Sequence, residues 1–104
     1  MAKKLRDEYA SRIEKILIGH YKPAHPKAKI MAYRYNSASI RVRVVDPDFI
    51  GKIIPEREEE VWAILDTLPE EIRSEITVLL LITPEESESS GMSMEFENPV
   101  PSRL

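Results

Sequence analysis

Apolar residues in this chain change period several times, and each change marks an element. Leu5, Tyr9, Ile13, Ile16 and Leu17 recur at helical intervals with Lys, Arg and Glu between them, which predicts a helix from Leu5 to about Ile18. Gly19 is its expected stop, because glycine takes the left-handed conformation that closes helices. Residues 28–35 and 38–45 read as two strands joined by a turn at Asn36-Ser37. In that register Tyr35 faces Ala38, Tyr33 faces Ile40 and Met31 faces Val42. Met31, Tyr33, Tyr35, Ile40, Val42 and Val44 then share an apolar face, and Ile30, Ala32, Arg34, Arg41 and Arg43 share the other.

The stretch 46–65 is a turn-rich loop running into a second helix. Pro47 and Gly51 punctuate the loop. Pro55 opens the helix with a pre-set backbone angle, and Glu56, Glu58, Glu59 and Glu60 match the positive end of its dipole. Val61, Ile64, Leu65 and Leu68 form one buried stripe with Trp62 beside it. Pro69 ends the pattern. Residues 76–83, ITVLLLIT, are apolar almost without alternation, as in a strand covered on both sides. Thr83-Pro84-Glu85-Glu86 has the form of a capping box and starts a short third helix. Beyond Gly91, Met92, Met94 and Phe96 alternate with polar residues, which predicts a short strand over 92–97.

This order gives an α+β domain, α-β-β-α-β-(α), with a three-stranded mixed sheet and helices packed on one face. The second and third strands should run parallel, joined by a right-handed crossover. Residues 1–90 are expected to form the single domain and 91–104 a tail that holds the extra strand.

Composition narrows the class. The 104 residues contain no cysteine, so this chain offers no disulfide, thiol nucleophile or thiolate ligand. The segment MAKKLRDEYA has no apolar h-region, and a soluble, cytoplasmic protein is expected. Charge is unevenly spread: residues 1–45 hold 11 Lys/Arg against 3 Asp/Glu, or +8, and residues 46–104 hold 4 against 15, or −11, which together give −3. A basic half is a possible footprint for nucleic acid. The simpler expectation is that the halves fold together and neutralise each other.

No constellation of catalytic residues stands out. His20 and His25, the only histidines, flank a proline-rich loop and read as ordinary surface or loop residues, so no metal site is expected. Gly19, Gly51 and Gly91 are isolated, which excludes a phosphate-cradling loop. The serines of the tail lack a base. Neither an enzyme nor a cofactor is expected.

The run RVRVVDPDFIGKIIPEREEEVWAILDTLPEEIRSEITVLLLITPEE resembles the BolA-like proteins. Their pattern has a strand ending in valines, then F-x-G, an arginine about six residues on, an apolar helix, a third strand and T-P-E-E. Phe49, Gly51, Arg57, Val61, Leu65 and Thr83 to Glu86 match those places, and the likeness covers roughly residues 12–86. The resemblance implies a non-catalytic regulatory protein. In that family a histidine usually follows the matched arginine, and another sits near the start of the third strand, where members help glutaredoxins hold an iron–sulfur cluster. Here Glu58 and Thr77 stand at those places and Asn36-Ser37 at the hairpin turn, so cluster sharing with a glutaredoxin is not expected.

Two readings of function follow. In the first, the chain is a small regulatory or adaptor protein contacting an unknown protein or a second copy of itself. In the second, its topology, which resembles the type II KH arrangement, presents a basic sheet face to nucleic acid. The candidate contact residues are Arg34, Arg41, Arg43, Phe49, Gly51, Lys52, Arg57 and Trp62.

Overall fold

The structure is a computed structural model and describes residues 7–99. The elements run α1 (Glu8–His20), β1 (Lys29–Asn36), β2 (Ser39–Val45), a 3-10 turn (Pro47–Phe49), α2 (Ile54–Leu65), α3 (Glu70–Arg73), β3 (Ile76–Ile82), α4 (Pro84–Ser89) and α5 (Gly91–Glu97). The sheet has the order β1-β2-β3, with β1 antiparallel and β3 parallel to β2. Among the described residues no helix is long and apolar enough to cross a membrane.

Asp7 caps α1 by accepting the Ala10 N–H at 2.9 Å, and the expected contribution of Leu5 lies outside the described residues. Gly19 does not close the helix. It stays inside α1, which runs on to His20 and ends as the Tyr21 N–H bonds to the Leu17 carbonyl, all in right-handed backbone. Among the described residues only Gly51, at φ 81°, lies in the left-handed region.

Ala10, Ile13 and Leu17 of α1 and Val61 and Leu65 of α2 meet Ile40, Val42 and Val44 of β2 in the main core. These side chains are fully buried, each worth about 1.5–3 kcal/mol for the larger ones. Glu14 reaches from α1 to accept the Ala32 N–H at 2.7 Å.

The hairpin register differs from the sequence expectation by one residue. Asn36 pairs with Ser39, so the turn is Ser37-Ala38, fixed by Asn36 Oδ1 accepting the Ala38 N–H at 2.9 Å. A bulge at Tyr35 then brings Arg34 opposite Ile40 and Tyr33 opposite Arg41. The net one-residue slip reverses every side chain of β1. Ile30, Ala32 and Arg34 therefore face the helices beside Ile40, Val42 and Val44. Met31 and Tyr33 share the opposite face with Arg41 and Arg43.

That opposite face is covered by α5, which is helical where a strand over 92–97 is the sequence expectation. The Ser90 hydroxyl caps α5 by accepting the Ser93 N–H at 3.1 Å. Met92 and Phe96 also satisfy helical spacing, and a helix turns Met94 out to water while burying Ser93 and Phe96. The Phe96 ring meets Tyr33 edge-on, with centroids 5.1 Å apart.

Because Phe96 is fully buried, Phe96→Ala should lower stability by about 3 kcal/mol, the lower end of the usual Phe→Ala range. Urea unfolding measures it, and a loss under about 0.5 kcal/mol would contradict this packing.

Candidate functional site

Residues 46–53 leave the end of β2 and turn back into α2, held by two groups. The first is the Asp46 carboxylate, whose Oδ1 accepts the Asp48 N–H at 2.9 Å and starts the 3-10 turn that buries Phe49. The second is Arg57 on the first turns of α2. Its Nε donates to the Lys52 carbonyl at 2.9 Å, and Nη1 donates to the Leu81 carbonyl at 2.9 Å and to Glu86 Oε1 at 2.7 Å. Glu86 Oε1 also accepts the Thr83 N–H at 2.9 Å, which completes the capping box of α4. One buried guanidinium thus joins the loop, β3 and α4, with its carbon 5.6 Å from the Phe49 ring centre.

Phe49, Gly51, Arg57, Thr83 and Glu86, scattered in the sequence, are therefore parts of one structural knot. Lys52 is exposed, and Trp62 is half-buried against the core. The large apolar residues Ile50, Ile53 and Ile54 of this loop and the start of α2 stay open, 65 %, 65 % and 53 % exposed.

A second cluster lies next to this loop. Asp46 Oδ2 accepts the Tyr21 hydroxyl at 2.7 Å. The His25 ring stacks on Tyr21 at 4.1 Å. Its Nδ1 lies 2.7 Å from Asp48 Oδ2 and 3.4 Å from Asp46 Oδ2, and its Nε2 lies 2.8 Å from Glu60 Oε1. A neutral imidazole donates only once, whereas here both nitrogens face carboxylates. Burial disfavours the charged ring, yet the bonds to Asp48 and Glu60 outweigh it and raise the His25 pKa. Burial, reinforced by Asp46, also raises the Tyr21 pKa, so its phenol stays a donor. His25 is thus not the free surface residue that its loop suggests, while His20 is exposed. Asp46 and Asp48 lie in the loop that Pro47 and Gly51 mark in the sequence, which gives them no reading as ligands. Their meeting with His25 spans 23 positions for Asp48, and the Glu60 contact spans 35, which no local pattern reveals.

The three candidate arginines of the hairpin are dispersed. Arg34 turns to the helix side and pairs with Asp7 and Glu75. Arg41 remains on the other face, with its guanidinium 3.6 Å from the Tyr35 ring centre and 2.6 Å from Glu95 Oε1. Arg43 is buried under α5, donating to the Ser93 carbonyl at 3.0 Å and pairing with Glu97 at 2.8 Å. The places where the BolA-like pattern has histidines carry Glu58 on α2 and an exposed Thr77 on β3. With no imidazole or thiolate there, this donor set does not fit an iron–sulfur cluster.

The Arg57 hydrogen bonds, reinforced by the capping box at Thr83, pull the Glu86 pKa down to about 2 from 4.5. Because the folded-state value lies below the unfolded one, the pair's stabilisation is complete above pH 4.5 and is lost as pH falls towards 2. Glu86→Gln should therefore melt below the wild type at neutral pH and converge with it near pH 2. Thermal melts across this range check it, and parallel profiles would contradict it.

No model of a known protein family matches the chain, and no curated protein does. Among solved structures, BolA1 from Arabidopsis thaliana is similar, with a TM-score of 0.52 and 19 % sequence identity, and the match covers 77 % of this chain and 96 % of that one. At this identity the likeness speaks for architecture, and it agrees with the α-β-β-α-β order and the mixed three-stranded sheet. The chain has a BolA-like fold.

Proposed function

We propose that the chain is a small regulatory or adaptor protein of BolA-like type that acts without catalysis, through contact with another protein. The observation that carries this reading is the trio Ile50, Ile53 and Ile54, each more than half exposed around Gly51 and Lys52. A single exposed isoleucine needs no explanation, but three within residues 50–54 make an apolar patch beside a cation. Arg57 and Phe49 anchor the loop beneath it. A pre-formed patch binds with a smaller ordering cost than a flexible one.

The nucleic-acid reading has less support. Arg34, Arg41 and Arg43 each have a carboxylate partner, and Arg43 lies under α5. The contact proposed is not iron–sulfur sharing with a glutaredoxin, because Glu58 and Thr77 supply no cluster ligand of the expected kind.

The test is affinity capture from the source cell, with and without nuclease, using the wild type and an Ile50→Asp, Ile53→Asp double variant. We expect a protein retained after nuclease by the wild type and lost by the variant, with both melting at the same temperature. Capture that disappears with nuclease, or that the two substitutions leave intact, would refute the reading.

A further inference from the structure

Three carboxylates, Asp46, Asp48 and Glu60, surround the His25 ring. Among the described residues none of them is paired with a lysine or arginine. Lys22, in the same loop as His25, instead donates its ammonium to the Ala28 carbonyl at 2.8 Å. Even with His25 charged, three negative groups face one positive group, and two charges are left without a counter-ion. Asp46 makes this costly, because its side chain is only 1 % exposed.

The atoms are arranged for a cation. One ligand atom from each of His25, Asp46 and Asp48 lies within 4.8 Å of the other two, and His25 Nδ1 is 3.4 Å from Asp46 Oδ2 and 2.7 Å from Asp48 Oδ2. Ligands about 2.0–2.1 Å from a tetrahedral metal ion stand about 3.3–3.4 Å apart. The Nδ1 to Asp46 separation of 3.4 Å already meets this, and the Asp48 contact of 2.7 Å must open by roughly 0.6–0.7 Å to match it. Asp48 is half exposed and free to make that adjustment, and it lies on the solvent side of the group.

The surroundings fix the ligands in place. His25 is pinned on both sides of its main chain, its N–H donating to the Lys22 carbonyl and its carbonyl accepting the Ala28 N–H, each at 2.9 Å. Stacking on Tyr21 sets the plane of the ring. Its Nε2–H points to Glu60 Oε1 at 2.8 Å, which is the outer contact that metal-bound histidines use to fix their tautomer and orientation. The Tyr21 hydroxyl orients Asp46 in the same way.

We propose that His25 Nδ1, Asp46 Oδ2 and Asp48 Oδ2 bind a divalent first-row transition-metal ion, with Glu60 and Tyr21 orienting the ligands. One imidazole and two carboxylates suit Zn²⁺ or Mn²⁺, and water fills the remaining positions. The ion takes the place of the Nδ1 proton, which passes to solvent. Binding fastens the α1–β1 loop to the end of β2, and through Glu60 to α2. The site is separate from the places of Glu58 and Thr77.

The test is calorimetric titration of the chelator-treated full chain with ZnCl₂ alone, at neutral pH, with MgCl₂ as the comparison. We expect saturable binding of one Zn²⁺ per chain with release of protons, a higher melting temperature and no equal response to Mg²⁺. His25→Ala should abolish this site, and Glu60→Gln should weaken it about 10- to 100-fold. In case His25→Ala fails to fold, nitrogen NMR of the wild type reads the same point, since Zn²⁺ must shift His25 Nδ1. Absence of saturable binding, undiminished binding by His25→Ala, or a shift confined to His20 would overturn the proposal.

Discussion

Arg57 is the constraint on which the arrangement of this chain depends. A guanidinium offers five donors in a fixed fork, and this one reaches a loop carbonyl, a strand carbonyl and a helix-capping carboxylate together. Burying it without those acceptors would be prohibitive. Loop 46–53, the end of β3 and the start of α4 must therefore assemble together. Gly51 in left-handed backbone lets the chain turn so that the Lys52 carbonyl faces Arg57. The same loop then leaves its isoleucines in water, so the knot that stabilises the fold also builds the proposed contact patch.

Charge follows the same logic at longer range. The basic first half and acidic second half meet in Arg34–Glu75, Arg41–Glu95 and Arg43–Glu97, as well as in the His25 group. Mutual neutralisation, the simpler of the two expectations, accounts for these pairs. The carboxylates of α5 lie on arginines that sequence reading would have given to nucleic acid, and Phe96 closes over the aromatic partner they would have needed.

Elements governed by local chemistry were legible in the sequence. The α2 stripe, the Thr83 capping box and the parallel β2–β3 pair follow from period, cap residues and chain order. The hairpin register was not, because it turns on a bulge at Tyr35 that no residue type announces. That single slip moved Arg34 away from Arg41 and Arg43 and brought Tyr33 to them. α5 was misread for a related reason: Met92 and Phe96 fit a helical period as well as the strand period that Met94 shares with them, and only the Ser90 cap and the buried sheet face decide. The likeness to BolA-like proteins was legible from ordered motifs, and those motifs mark the Arg57 knot rather than a reactive group. The His25 cluster was invisible, since it is assembled by tertiary contacts.

Native-state amide exchange on Arg57→Lys tests the central constraint most directly, because lysine keeps the charge and loses the fork. If Arg57 couples the three segments, the amides of Lys52, Thr83 and Glu86 lose protection together, by similar factors, while those of α1 stay protected. Loss confined to one of the three, or unchanged exchange at all of them, would contradict the account.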